Sequence, residues 1–147
     1  GAQIQQIIDI NLRSVFQLST EVARRLIAAK QGGRIVNIAS IAAYYYAGQA
    51  AALYSVTKSS VVRMTEALAV EWARFNINVN GIAPGVFASE MSAGMIERMG
   101  DALVESFPRK RIGRPEQMDG ALLFLVSPSS DFVTGTIIKL DDGQTPR

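Results

Sequence analysis

RIVNIAS, residues 34 to 40, is a short, mostly apolar run with Gly32-Gly33 ahead of it and polar sequence at its end. A run of this length and character reads as a buried strand. INVNGIAP (77 to 84), closed by Pro84-Gly85, reads as a second strand, and GTIIKLDDG (135 to 143) as a third. Helical patterns separate them. Val15, Leu18, Val22 and Leu26 recur at helical spacing, with Arg24, Arg25 and Lys30 toward the C-terminal end, so a helix is expected from near Gln3 to the Gly32-Gly33 stop. A second helix is expected from about Gln49 to Phe75, with Val61, Met64, Leu68 and Trp72 as its apolar ridge. Residues 89 to 107 are Met-rich and weakly helical, and PEQMDGALLFLV (115 to 126) begins with Pro, as a helix N-terminus does.

Strands alternating with helices imply an α/β fold, a doubly wound parallel sheet covered on both faces. Three strands are few for such a sheet, and no strand precedes the first helix. One edge of the first strand is therefore expected to lack a neighbour. With no initiator Met, the expectation is that residues 1–147 form the C-terminal part of a single longer domain.

Composition narrows the chemistry. The 147 residues are 48% hydrophobic and 19% charged, the profile of one globular domain with enough apolar mass for a core. The formal charge of +2 comes from 15 basic and 13 acidic residues spread along the chain, which argues against a nucleic-acid partner. There is no cysteine and no histidine, hence no disulfide, thiolate nucleophile or thiolate zinc site, and no metal is expected. A cytoplasmic protein fits best. Ile35 to Thr57 carries no charge, but Asn37, Ser40, Gly48, Gln49, Ser55 and Thr57 interrupt it, its front half is β-like and its back half helical. No membrane span and no signal peptide is expected.

Without histidine, acid–base chemistry needs another group. Tyr54 and Lys58 stand four apart in AALYSVTKSSV (51 to 61), on one face of the expected helix. A tyrosine phenol ordinarily titrates near 10, and an adjacent ammonium favours its ionised form; working near neutrality requires roughly 4 kcal/mol of such help. A tuned phenol is then a general acid/base. The pair alone is weak evidence, because this spacing recurs in many helices. Its setting is stronger: Ser40 ends the first strand and Pro84-Gly85 the second, at the carboxyl edge where open α/β sheets bind ligands.

In order and spacing, INLRSVFQ around Asn11, GRIVNIAS ending at Ser40, YSVTK, INVNGIAPG, GRPEQMDGALLFLVSPSSDFVTG and IIKLDDG resemble the short-chain dehydrogenase/reductase family across nearly the whole chain. The resemblance implies a Rossmann-like fold and an oxidoreductase that moves hydride between NAD or NADP and a carbonyl or secondary alcohol. It implies that Tyr54 exchanges a proton with the substrate oxygen, Ser40 hydrogen-bonds that oxygen, Lys58 favours the ionised phenol and binds the nicotinamide ribose, and Asn11 holds a relay water. Pro84, Gly85 and Val86 match the loop that packs on the nicotinamide and bonds its carboxamide, and Ser89 takes the place of a usual threonine. Bland roles exist for each: Asn11 as an amide serving a kinked helix, Ser40 as a local cap, Pro84-Gly85 as an ordinary turn, Ser89 as the N-cap of the Met-rich helix.

Departures are equally definite. The family's glycine-rich pyrophosphate loop and its NAD/NADP-selecting residue lie outside these residues, so this segment alone is expected to bind a dinucleotide poorly and to be inactive. Ala39 stands where the family often has a second Ser, and Asp142 where Gly is common. Tyr44, Tyr45 and Tyr46, with Phe87, Met91, Met95 and Met99, fall in regions that border the substrate in the family, pointing to a fairly hydrophobic carbonyl compound such as a 3-oxoacyl thioester or an alicyclic ketone. At spacings of four, the Met residues also read as plain helix packing. Two other functional classes fit the same residues: a cofactor-free assembly module built on the two long helices, and a dehydratase or epimerase on the same scaffold. A homodimer or homotetramer is expected from the resemblance and the apolar helices.

Overall fold

The computed structural model describes residues 1–48 and 50–147; the start of the second helix at Gln49 lies outside the described residues. The chain opens with α1 (Ala2–Ile8), passes without a break through a π-helical segment (Asp9–Arg13) and continues as α2 (Ser14–Ala28). Then follow β1 (Gly33–Ile38), a 3₁₀ turn at Ile41–Ala43, α3 (Ala52–Trp72), β2 (Ile77–Pro84), α4 (Glu90–Ser106), a 3₁₀ turn at Pro115–Met118, α5 (Asp119–Val126) and β3 (Ile137–Leu140). The strands form one parallel sheet in the order β1-β2-β3. This is the expected α/β arrangement, with β1 at an edge of the sheet.

Alternation along β2 explains how the layers are held. Ile77 and Val79 point toward α2 and α3, where they are buried with Ala23, Ile35, Leu68, Ala69 and Trp72. Asn78 and Asn80 point the opposite way and are also buried. A buried amide must find partners, and these find them in the chain that leaves α5. Asn78 Nδ2 donates to the carbonyls of Asp131 at 3.0 Å and Val133 at 2.8 Å. Asn80 donates to Val133 O at 2.9 Å and accepts from Thr136 N–H at 3.1 Å. These contacts deliver β3 into its register, Gly81 opposite Ile137.

A second buried polar group sits on the α2/α3 side. Asn37 of β1 accepts from Ser19 Oγ of α2 at 3.2 Å and donates to Thr65 Oγ1 of α3 at 3.1 Å, so one amide fixes the strand against both helices.

Several boundaries differ from expectation. The first long helix stops at Ala28, before the glycines, because Lys30 turns into the left-handed region at φ 53°. Half of its expected ridge faces out: Leu18 and Val22 are exposed, while Ser19 and Ala23 are buried. The π-helical segment rotates the face between α1 and α2, which a fixed helical period does not anticipate. PEQM forms a 3₁₀ turn, and the α-helix starts only at Asp119. β3 covers four residues of the nine expected, Asp142 having a left-handed φ of 53°. The ridge of α3 agrees with expectation: Val61, Leu68 and Trp72 are buried, and Met64 packs against them. No helix among the described residues is long and apolar enough to cross a membrane.

Candidate active site

Ile38 is opposite Ile82 in the sheet register, and Ala39 N–H continues the ladder to Ile82 O at 2.8 Å. Ser40 and Pro84, each two residues further on, therefore emerge at the same rim. α3 lies against this rim by its N-terminal half. Ser55 Oγ donates to Ala42 O at 2.6 Å and Ser59 Oγ to Ala43 O at 2.9 Å, fastening the 3₁₀ turn after Ser40 to the helix that carries Tyr54 and Lys58.

Ser40 caps that turn, its Oγ accepting from Ala42 N–H at 3.1 Å. Its own hydroxyl proton has no acceptor among the described residues, so it is available to a ligand. Lys58 is half-buried and donates from Nζ to Ile38 O at 3.1 Å, with its nitrogen 5.7 Å from the centre of the Tyr54 ring. Burial lowers the Lys58 pKa from its ordinary value, because the neutral amine loses less solvation than the ammonium. The backbone carbonyl is a fitting anchor: it orients the ammonium without neutralising it, and two N–H groups stay free.

Asn11 lies in the π-helical segment, and its Nδ2 donates to Thr57 Oγ1 at 3.3 Å, while that hydroxyl donates to Tyr54 O at 2.8 Å. Asn11, Ser40, Tyr54 and Lys58 are thus gathered at one end of β1 and α3. Thr57, Ser55, Ser59 and the Ile38 carbonyl escaped the sequence reading. A signal was present, because hydroxyl residues crowded into a helix interior compete with its backbone and imply other partners.

On the neighbouring strand end, Gly85 N–H donates to Leu140 O at 2.8 Å. Val86 N–H donates to Gln144 Oε1 at 2.7 Å, and Gln144 Nε2 donates back to Val86 O at 3.5 Å. A Cβ on Gly85 would run into Gln144 Oε1 and approach Asp141 Cα to 2.9 Å, so only glycine fits there. Val86 O also accepts from Gly113 N–H at 2.9 Å, so it is the Val86 N–H that depends on the Gln144 side chain.

Other candidates are used differently. Ser89 is the N-cap of α4, its Oγ accepting from Ser92 N–H at 3.1 Å while Ser92 Oγ accepts from Ser89 N–H at 3.0 Å. Lys139 lies over the Tyr44 ring at 4.1 Å; burial, with the Glu66 charge, raises the Tyr44 pKa. Tyr46 OH accepts from Ala51 N–H at 3.1 Å, at the entry to α3. Phe87 packs its ring against Gly113. Met91 is exposed, while Met95 and Met99 are half-buried. Among the described residues no hydrogen bond joins Tyr44, Tyr46 or Ser89 to Ser40, Tyr54 or Lys58. A cavity of about 510 Å³ opens beside Val86 and Phe87, with Arg111, Lys139, Gln144 and Arg147 also in its wall, and the Ser40–Tyr54–Lys58 group does not line it.

A parallel sheet with a serine just past one strand end, and a Tyr–Lys pair on the helix fastened to the turn that follows that serine, defines a recognisable class. Residues 1–145 match the family profile described as Enoyl-(Acyl carrier protein) reductase. The chain is 37% identical over 143 residues to the 2-dehydro-3-deoxy-D-gluconate 5-dehydrogenase of Dickeya dadantii strain 3937, covering 96% of this chain and 56% of that one. Its fold superposes on a short-chain type dehydrogenase/reductase from Mycobacterium marinum with a TM-score of 0.93 at 32% identity, covering 98% of this chain and 57% of the other. It superposes on the gluconate 5-dehydrogenase of Burkholderia cenocepacia J2315, crystallised with NADP and tartrate, with a TM-score of 0.91 at 33% identity, covering 98% and 56%. The chain belongs to the short-chain dehydrogenase/reductase family. It spans a little over half the length of these relatives.

Proposed function

We propose that the protein is an NAD(P)-dependent oxidoreductase that interconverts a carbonyl compound and the corresponding secondary alcohol, and that this chain carries its catalytic part. The observation that carries the reading is Lys58, half-buried, tied to Ile38 O at 3.1 Å and with its nitrogen 5.7 Å from the centre of the Tyr54 ring. A bound nicotinamide dinucleotide supplies or accepts the hydride. Tyr54 gives its phenolic proton to the carbonyl oxygen in reduction and takes it back in oxidation. Ser40, its oxygen held by Ala42 N–H, donates to the same oxygen as negative charge builds there. Lys58 stabilises the charge left on Tyr54 and offers its free N–H groups to ribose hydroxyls. Asn11, through Thr57, holds α1–α2 against the turn of α3 that bears the pair. Pro84, Gly85 and Val86 form the loop that packs on the nicotinamide.

The Burkholderia relative was crystallised with NADP, which supports a nicotinamide dinucleotide here, either NAD or NADP. A small-molecule substrate follows. 3-Oxoacyl thioesters and alicyclic ketones belong in the panel to be assayed, together with sugar acids, because the Dickeya relative bears the name of a gluconate derivative. Exposed Leu18, Val22, Val56 and Val70 on α2 and α3 support a homodimer or homotetramer, and a cytoplasmic setting belongs to the same reading.

Fluorescence titration of the native full-length protein with NADH and NADPH tests the reading. One of them is expected to bind, and Lys58→Met to weaken it by about 10-fold, the worth of a charge-assisted hydrogen bond. Binding of neither dinucleotide contradicts the proposal.

A further inference from the structure

Beyond the end of β3 the chain gathers charge around the cavity of about 510 Å³, room enough for a small molecule. Its wall holds four cationic side chains, Arg109, Arg111, Lys139 and Arg147, against two carboxylates, Asp141 and Asp142. That surplus of two positive charges equals the net charge of the entire chain. The arginines are held in place. Arg111 donates from Nε and Nη2 to Asp142 at 2.7 and 3.0 Å, Arg109 lies 3.4 Å from the same carboxylate, and Arg147 is bound to Asp141 at 2.6 Å. Asp142 takes a left-handed φ of 53°, which favours glycine, so the carboxylate that fixes two of them is kept against its backbone preference. Lys139 differs. It has no ion-pair partner among the described residues, and its ammonium rests over the Tyr44 ring at 4.1 Å. Burial, and next the Glu66 charge, raise the Tyr44 pKa, so the phenol stays neutral, and Glu66 is itself paired with Arg63 at 3.2 Å. Arg111 also keeps one group unspent, because its Nη1 makes no hydrogen bond among the described residues.

We propose that this cavity is an oxyanion site, taking the carboxylate or phosphate group of a small molecule with the Lys139 ammonium and the Arg111 Nη1 group as donors. A guanidinium already fixed by one carboxylate presents its remaining N–H groups at little further ordering cost, and a lysine without a counter-ion gains most from one. Val86 and Phe87 also line the cavity, so an occupant lies against the chain that leaves β2. The Ser40–Tyr54–Lys58 group does not line it, and the inference stands apart from the dehydrogenase reading.

The test uses the native full-length protein with its Lys139→Met, Lys139→Arg and Lys110→Met variants; Lys110 pairs with Glu105 and lies outside the cavity wall. Lys139 is exposed, so Lys139→Met is expected to melt at the wild-type temperature. Inorganic phosphate and citrate are titrated by calorimetry, with ionic strength held constant by sodium chloride so that general screening is the same throughout. At least one is expected to bind saturably, and the tighter of the two tells whether a phosphate or a carboxylate is the group recognised. Lys139→Met is expected to weaken that binding about 10-fold, the worth of a charge-assisted hydrogen bond, while Lys139→Arg and Lys110→Met stay within about 3-fold of the wild type. Three results overturn the site: neither probe binds saturably, Lys139→Met leaves the binding unchanged, or Lys110→Met weakens it as much as Lys139→Met does. An anion held only where a dinucleotide's phosphates bind would give the second of these.

Discussion

Lys58 shows how much one side chain is asked to do. Its ammonium is partly removed from water and has a carbonyl, not a carboxylate, as partner, so its folded pKa lies below the 10.5 of a free lysine. The sign of the consequence is fixed by linkage. Between the folded value and 10.5 the unfolded chain holds a proton that the folded chain has lost, so Lys58 adds stability as pH rises through that window and adds none below it. Replacement by methionine removes the term. The difference in Tm between wild type and Lys58→Met is expected to be constant at neutral pH and to move in favour of the wild type as pH rises into the alkaline range, read by thermal melts across the series. The positions of Ser40 just past β1 and of Tyr54 and Lys58 on one helix were legible because spacing and strand-end setting are written locally. The Ile38 carbonyl, Thr57 and Gln144 were not, since a partner 20 to 58 residues away in the chain is chosen by the fold and leaves no local trace.

At the scale of elements, the strands were the most legible. β2 matches its expected bounds because an apolar run closed by Pro-Gly has one reading, Ile77–Pro84. The helix before β1 was less so: its π-helical segment and the outward turn of Leu18 and Val22 depend on which face meets the sheet. Two polar fasteners inside these layers carry predictions. Asn37→Leu would strand Ser19 Oγ and remove a donor from Thr65, and is expected to cost about 2 kcal/mol, measured by urea unfolding at unchanged m-value. Ser55 and Ser59 hold the turn after Ser40. In the double variant Ser55→Ala/Ser59→Ala the serine hydroxyl is less well placed, so kcat is expected to fall by about 10-fold with dinucleotide affinity unchanged, separable by steady-state kinetics and titration.

Asp141 fastens the segment after β3, gathering Arg147, Thr145 and Gly143 N–H around one buried carboxylate. The Arg147 guanidinium, foremost among these partners, holds the carboxyl well below its ordinary 3.8. Its stabilisation is full above 3.8 and is lost as pH falls through the lower folded value. Asp141→Asn is therefore expected to flatten the acid side of the Tm profile and to lower stability at pH 7 by about 2 kcal/mol, checked by melts from pH 2 to 7. Family membership was legible across the chain, because its motifs are spread in order from Asn11 to Gly143. Substrate was not, because side chains such as Tyr44 and Tyr46 that sequence position assigned to the ligand are engaged by Lys139 and by the start of α3.

The central claim is that Tyr54 is the proton donor and acceptor of a hydride-transfer site. Its most direct test is turnover of the native full-length protein and of Tyr54→Phe over the carbonyl panel, with dinucleotide affinity measured on the same samples. The account predicts that the variant keeps its affinity and loses turnover by at least about 100-fold, the usual worth of a positioned acid/base group. A Tyr54→Phe protein that turns over like the wild type would contradict it.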